Sequence, residues 1–175
     1  MIELNLKADI LQPNTDISAF ESGDAELDDF LFNDAKNYRN SLLAVTYLVR
    51  VENEIAAYFC LSNDRLIKDS SGNSEWNKLN RSIANDKRRK NYPAVKIGRL
   101  AVSKKYSSKG LGSSILRIVR EMYANHQQQA GCRFITIDEY QNALGFYQKN
   151  GFAFLTEKDC KEETRAMYLD LMAFV

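Results

Sequence analysis

The spacing of apolar residues changes several times in the first half of the chain, and each change predicts a different element. Apolar and polar residues alternate in IELNLKA, which predicts a half-buried strand. After capping residues at 22–24, apolar residues recur at helical spacing from Leu27 to Tyr38. The segments AVTYLVRV and IAAYFCLS, joined by the polar turn 52–54, then predict an antiparallel hairpin.

The second half of the chain predicts a strand, helix and strand unit followed by shorter elements. AVKIGRLAV is typical of a buried central strand, and apolar residues from Leu111 to Met122 then follow a helical period before the strand FITID. We expect a helix over 141–150 and strands in GFAFL and RAMYLDLMAF. This order of elements predicts an α+β domain with a mixed sheet.

Residues 68–92 differ from both halves because they are polar and basic. The SSGNS stretch predicts a loop, and WNKLNRSIANDKRRKN predicts at most a short basic helix. We expect a single domain over 1–175 that carries this segment as an insertion, because 175 residues suffice for one core.

Composition excludes several classes of protein. The net charge of +1 gives no global field that would attract nucleic acid or a membrane. No apolar run approaches the roughly 18 to 20 residues that a membrane span needs, so a cytoplasmic location is the default expectation. The three cysteines lack a C-x-x-C spacing, which argues against a disulfide framework and a zinc site, and we expect no metal. His126 is the one histidine, and no orienting partner for a catalytic triad is evident beside it.

The candidate chemistry lies between the strand AVKIGRLAV and the next helix, in KKYSSKGLGSS. A helix start offers unpaired backbone N–H groups and partial positive charge to a phosphate. Gly110 and Gly112 allow the backbone to approach a ligand closely, and three lysines surround them. By itself this pattern fits a tight connection as well as an anion site. The spacing matches neither the nucleoside triphosphate loop nor the dinucleotide loop.

Two ordered blocks carry a family resemblance. RLAVSKKYSSKGLGSSIL resembles motif A of the GNAT N-acetyltransferases, whose usual form is Gln/Arg-x-x-Gly-x-Gly/Ala. Ser107 stands at the Gln/Arg position, so backbone donors remain where one side-chain contact is lost. NALGFYQKNGF resembles the family's N-x-x-A-x-x-F-Y-x-x-x-G-F signature. The resemblance implies a mostly antiparallel sheet flanked by helices, with acetyl-CoA in a cleft where the central strands splay apart.

The resemblance also implies roles for single residues. Tyr147 would protonate the departing thiolate, although an aromatic residue on such a helix also fits a core position. The residues implied in cofactor binding are Leu100, Ala101, Val102, Ser107, Ser108, Lys109, Gly110, Leu111, Gly112, Ser113 and Asn142. Asn142 fits a helix N-cap equally well. Asp138 and Glu139 are candidate general bases, with capping as the alternative for Asp138 and water as the alternative base.

The acceptor is the most open question. LDDFLFNDA and YPAVKIGRLAV resemble GNAT toxins that acetylate aminoacyl-tRNA, and Lys78, Arg81, Lys87, Arg88, Arg89 and Lys90 fall where that subgroup has basic residues. A basic run also fits a solvated face. We expect an N-acetyltransferase acting on a primary amine, such as that of aminoacyl-tRNA, a polyamine or a peptide. A non-catalytic CoA-binding module and an RNA adaptor are the rivals, and an antitoxin and a homodimer are further partners to test.

Overall fold

The strands and helices follow the order expected from the sequence. The computed structural model describes residues 6–68, 73–83, 89–124 and 130–175. The strands are β1 Lys7–Ile10, β2 Val45–Val51, β3 Glu54–Ile67, β4 Asn91–Val102, β5 Phe134–Tyr140, β6 Ala153–Phe154 and β7 Thr164–Asp170. The helices are α1 Ala25–Asp29, α2 Ala35–Asn40, α3 Asn73–Ser82, α4 Leu111–Ala124 and α5 Leu144–Lys149, with one π-helical turn, Phe30–Asp34, between α1 and α2.

The strands form a mixed sheet in the order β1-β2-β3-β4-β5-β7-β6. The β1–β2, β2–β3, β5–β7 and β6–β7 pairs are antiparallel, whereas β4 and β5 pair in parallel. The parallel register joins Ala94 to Phe134, Val95 to Ile135 and Lys96 to Thr136. The predicted α+β fold with a mostly antiparallel sheet and helices is confirmed, while the splay of its central strands stays a prediction.

The chain divides into two compact units, described separately below. Unit 1 comprises the described residues of Met1–Ser62 and Ile97–Val119, and unit 2 those of Asn63–Lys96 and Arg120–Val175. In unit 1, the Asp24 carboxylate caps α1 by accepting hydrogen bonds from the Glu26 and Leu27 N–H groups at 3.0 and 3.2 Å. The predicted helix is therefore confirmed, and its Phe30 and Leu31 are buried against Tyr58 and the rest of the unit 1 core.

Unit 2 has a core of its own that includes part of the predicted insertion. The short helix expected in that segment is confirmed as α3, and its Trp76 is only 2% exposed. Trp76 and Leu79 belong to the cluster formed by Tyr92, Phe134 and neighbouring apolar residues. The ring centroids of Trp76 and Tyr92 are 5.4 Å apart. Helix α3 is therefore polar on one side only, and its other side contributes to the core of unit 2.

Several predicted boundaries were wrong or fall outside the described residues. The last strand ends at Asp170 rather than Phe174, because the Asp170 carboxylate accepts the Met172 N–H at 3.0 Å and starts a 3-10 turn, Leu171–Phe174. The strand predicted in GFAFL is limited to β6, and the helix predicted over 141–150 begins only at Leu144. In the first predicted strand, residues 1–5 lie outside the described part.

Candidate functional site

The loop between β4 and α4 is anchored to unit 1 by backbone hydrogen bonds. The Ser103 N–H donates to the Ala56 carbonyl, and the Lys104 N–H to the Glu21 carbonyl, both at 2.9 Å. Lys104–Tyr106 form a 3-10 turn, and the Ser107 hydroxyl then donates to the Lys104 carbonyl at 3.0 Å. The Ser107 side chain therefore closes the turn. It does not provide the long donor that the family has at this position.

The loop enters α4 through two left-handed backbone conformations. Ser108 has φ of 61° and Gly110 has φ of 77°. Glycine adopts this region without penalty, whereas serine is strained there. The Ser114 N–H then donates to the Gly110 carbonyl at 3.2 Å and starts the helical hydrogen bonding.

This geometry leaves a run of backbone donors unpaired. Among the described residues, the N–H groups from Ser108 to Ser113 find no hydrogen-bond acceptor. They lie at the start of α4, a helix of 14 residues whose dipole places partial positive charge at this end. Such an arrangement can hold a phosphate or pyrophosphate through the backbone alone.

The three lysines around the loop differ in their partners. Lys104 forms an ion pair with Glu21, and Lys105 forms one with Glu54, which also accepts a hydrogen bond from the Tyr106 hydroxyl at 2.9 Å. The Lys109 ammonium lies 5.2 Å from the centroid of the Tyr106 ring. The hydrogen bond from each lysine to its glutamate raises the pKa of Lys104 and of Lys105. These two cations are therefore already matched by carboxylates within unit 1.

The strand before the loop presents alternating environments. Ala101 is buried in the unit 1 core, whereas Leu100 and Val102, whose N–H groups the resemblance implies as carbonyl donors, are half-buried. Arg99 precedes them, and the sequence interpretation assigned it no role. It is the one cation in the otherwise apolar stretch IGRLAV, which is the signal that the sequence offered.

Tyr147 is buried in unit 2, in contact with two phenylalanine rings. It is 4% exposed, and its ring centroid lies 4.9 Å from that of Phe146 and 5.5 Å from that of Phe152, both in edge-to-face contact. Burial raises the pKa of Tyr147, and the charge and hydrogen bond of Glu139 raise it further. The phenol therefore keeps its proton at neutral pH, as a proton donor must.

The structure removes two capping alternatives. The N-cap of α5 is Ala143, with no side-chain hydrogen bond, so neither Asn142 nor Asp138 caps that helix. Asn142 is exposed in the turn before α5, and Asp138 forms an ion pair with Lys96. Glu139 is near enough to the Tyr147 phenol to raise its pKa. His126 lies outside the described residues.

Part of the predicted basic surface is described. Lys78, Arg81, Arg89 and Lys90 are all exposed in unit 2, while Lys87 and Arg88 lie outside the described residues. Lys68 is also close, because its N–H donates to the Lys90 carbonyl at 3.0 Å. Within the described ranges, no group of His, Cys, Asp or Glu could hold a metal ion, and no helix is long and apolar enough to cross a membrane.

Comparison with known proteins identifies the fold and the family of one part of the chain. Residues 82–168 match the model of an acetyltransferase (GNAT) domain. No curated protein sequence matches the chain. Solved structures do: a KacT variant in which a tyrosine is replaced by phenylalanine is 19% identical, with a TM-score of 0.78 over 96% of both chains. AtaT complexed with acetyl-methionyl-tRNAfMet is 18% identical, with a TM-score of 0.78 over 97% of this chain and 96% of that one.

A third solved structure adds a protein partner. It contains an AtaT toxin variant bound to the C-terminus of the antitoxin AtaR and acetyl-CoA, and it is 18% identical, with a TM-score of 0.72 over 97% of this chain and 95% of that one. At these identities the likeness shows the fold. The match to the family model adds that residues 82–168 of this chain are a GNAT acetyltransferase domain.

Proposed function

We propose that this protein transfers an acetyl group from acetyl-CoA to a primary amine, and that the acceptor is the amine of an aminoacyl-tRNA. The observation that carries the proposal is the run of unpaired N–H groups from Ser108 to Ser113 at the start of α4. These donors suit the pyrophosphate of acetyl-CoA. Lys109, the one loop lysine without a carboxylate partner among the described residues, adds positive charge beside them.

The transfer needs a neutral amine, a donor to the carbonyl oxygen and a proton for the thiolate. The amine nitrogen attacks the acetyl carbon and gives its proton to water, the carbon–sulfur bond breaks, and the departing sulfur takes up a proton. We assign the carbonyl donors to the Leu100 and Val102 N–H groups and the sulfur's proton to the Tyr147 hydroxyl. We assign cofactor contacts to the loop from Ser107 to Ser113 and to the exposed Asn142. Glu139 is near enough to the Tyr147 phenol to raise its pKa, which supports a role in orienting it.

Two findings support the tRNA-linked acceptor over a polyamine or peptide. Lys78, Arg81, Arg89 and Lys90 are all exposed in unit 2, and exposed cations of this kind suit a phosphate backbone. AtaT, whose fold this chain shares, has been solved with acetyl-methionyl-tRNAfMet. The AtaT complex with an antitoxin supports a similar protein partner here. A homodimer and a cytoplasmic location stay predictions.

Replacing Tyr147 by Phe tests the proposal. We expect turnover of aminoacyl-tRNA to fall at least tenfold while acetyl-CoA binding persists, because the hydroxyl acts on the leaving sulfur and general acid catalysis contributes roughly 100-fold or more. The measurement is acetyl transfer from labelled acetyl-CoA, together with a binding titration. Tyr168→Phe is the matched control, since Tyr168 is also buried in unit 2 but is assigned no role.

The same assay separates the rival functions. A non-catalytic CoA-binding module predicts acetyl-CoA binding with equal, near-zero rates for wild type and Tyr147→Phe. An RNA adaptor predicts salt-sensitive RNA binding without acetyl-CoA binding. Transfer to polyamines or peptides but not to aminoacyl-tRNA would retain the acetyltransferase and remove the tRNA acceptor.

A further inference from the structure

We propose that Arg99 binds an oxyanion carried by the acceptor beside its reactive amine, and thereby selects which amines are acetylated. The oxyanion is either the phosphodiester of a nucleotide-linked acceptor or the carboxylate of a free amino acid. The inference rests on the proposed function, since it names an acceptor contact for that reaction.

The position of Arg99 places a cation next to the proposed acyl site. Arg99 directly precedes Leu100 on β4, and consecutive Cα atoms are about 3.8 Å apart. Side chains alternate along a strand, so Arg99 shares its face with Ala101, which is buried in the core cluster that includes Phe30. The Arg99 guanidinium lies 5.4 Å from the centroid of the Phe30 ring. This contact holds the charge beside α1.

The hydrogen bonds of Arg99 leave donors for a ligand. Its Nη1 donates to the Gly98 carbonyl at 2.8 Å, and its Nη2 donates to Glu26 Oε1 at 3.1 Å. Its Nε is buried and has no acceptor among the described residues, so the donors open to a ligand are the second N–H of Nη1 and the second N–H of Nη2. A guanidinium has five N–H donors in a planar fork that suits the paired oxygens of a phosphate or carboxylate. The group is thus oriented but not saturated.

The ion pair with Glu26 is open to exchange. The side chain of Arg99 is 39% exposed and that of Glu26 is 61% exposed. An exposed pair of this kind is weak, so an oxyanion of the acceptor can take the place of the Glu26 carboxylate. Lys104 and Lys105 also pair with exposed carboxylates, those of Glu21 and Glu54, but an ammonium lacks the planar fork by which a guanidinium binds two oxygens.

Charge explains why such a residue would select acceptors. A protonated amine is repelled by a guanidinium at this position, and the repulsion is strongest for a polyamine, which carries several positive charges. An oxyanion next to the amine reverses the interaction. Arg99 therefore favours acceptors that carry a negative group beside the amine over purely cationic ones.

The test compares three acceptors that are derived from the same amino acid and carry the same α-amino group. They are the aminoacyl-tRNA, the free amino acid and the amino acid amide, and the amide lacks the anion. For Arg99→Gln we expect kcat/KM to fall roughly 10- to 100-fold for the acceptor whose oxyanion is bound, the range of a charge-assisted hydrogen bond. The amide should change little, and acetyl-CoA should bind as in wild type. Arg99→Lys should restore part of the activity, since it keeps the charge and loses the fork.

Arg50→Gln is the matched control, because Arg50 lies in the same unit, donates to the Asn53 carbonyl and is assigned no role in the reaction. An equal loss with all three acceptors, or no loss, would overturn the role of Arg99. If wild type shows no turnover with any acceptor, the proposed function fails. Direct binding of uncharged tRNA and of the free amino acid then tests whether Arg99 is an oxyanion site. Weaker binding of either by Arg99→Gln supports the oxyanion site, and unchanged binding of both contradicts it.

Discussion

Ser107 and Ser108 are adjacent, but their φ angles have opposite signs. Ser107 has a φ of −59° and uses its hydroxyl to close the turn onto the Lys104 carbonyl. Ser108 has a φ of 61°, a conformation that costs a non-glycine residue energy and persists only where its surroundings enforce it. The residue types are identical, and only the conformation distinguishes them.

We predict that Ser108→Gly stabilises the protein by about 0.5 to 1 kcal/mol, because glycine removes the steric strain while adding some entropy to the unfolded chain. Urea unfolding followed by circular dichroism measures the change. Ser107→Gly is the matched control and should destabilise, since it loses a hydrogen bond without relieving strain. Destabilisation by both variants would contradict the strain at Ser108.

Buried tyrosines make stability sensitive to alkaline pH. Burial raises the pKa of both Tyr58 and Tyr147 above the ordinary value of 10.0. Between this value and the higher folded value, the unfolded chain loses protons that the folded chain retains. We therefore predict that stability is fully present below about pH 10 and decreases as the pH rises above it.

Urea unfolding at about pH 8 and about pH 11 tests this, with Tyr147→Phe and Tyr58→Phe each expected to reduce the alkaline loss. Tyr38→Phe is the control, because Tyr38 is largely exposed. An alkaline loss that is the same in all four proteins would argue against buried tyrosine ionisation.

At the scale of elements, α3 shows how a polar segment can still belong to the core. Its sequence contains few apolar residues, but Trp76 and Leu79 lie three positions apart on the same side of the helix. That side packs on Tyr92 and Phe134, and the remaining residues carry the exposed basic groups. One helix thus contributes both to folding and to the proposed RNA surface.

We predict that Trp76→Ala lowers the free energy of unfolding by about 3 to 5 kcal/mol, because it removes a large aromatic group from a packed core. Asn77→Ala is the control on the same helix, where the side chain is exposed. Denaturant unfolding gives both values. A loss below about 1 kcal/mol for Trp76→Ala would show that α3 contributes little to the core of unit 2.

For the whole molecule, the net charge is only +1, but positive residues outnumber negative ones in unit 2. We predict that the triple charge reversal Lys78→Glu, Arg81→Glu and Arg89→Glu weakens tRNA binding at least tenfold at low salt. Each lost phosphate contact should also reduce the slope of log affinity against log salt by about 0.7 to 0.9. Filter binding over a salt series measures both quantities.

Lys158→Glu with Lys161→Glu is the control for that experiment, because both lysines are exposed in unit 2 but lie outside the basic segment. Acetyl-CoA binding should be unchanged in every variant. Equal loss of tRNA binding in the control would indicate a general charge effect, and unchanged binding in the triple variant would remove the support for an RNA surface on α3.

The sequence alone determined the type and order of most elements, because a period of two or of 3.6 residues is a local property. It also indicated the turn before α4. The left-handed backbone at Gly110 favours glycine, and a glycine between a strand and a helix is visible in the local sequence. The strand ends were less predictable. The carboxylate of Asp170 stops β7 in a run whose alternation continues to Phe174.

Only the tertiary structure decided which charged and polar groups pair. Lys104 and Glu21 are 83 positions apart in the chain, and Arg99 and Glu26 are 73 apart. No local pattern specifies such contacts, because the fold must first bring the segments together. The structure thereby changed the candidate site. Lys104 and Lys105 are ion-paired with carboxylates, and the N–H groups from Ser108 to Ser113 have no acceptor among the described residues. Arg99 is oriented by two hydrogen bonds and keeps one further N–H on each of Nη1 and Nη2.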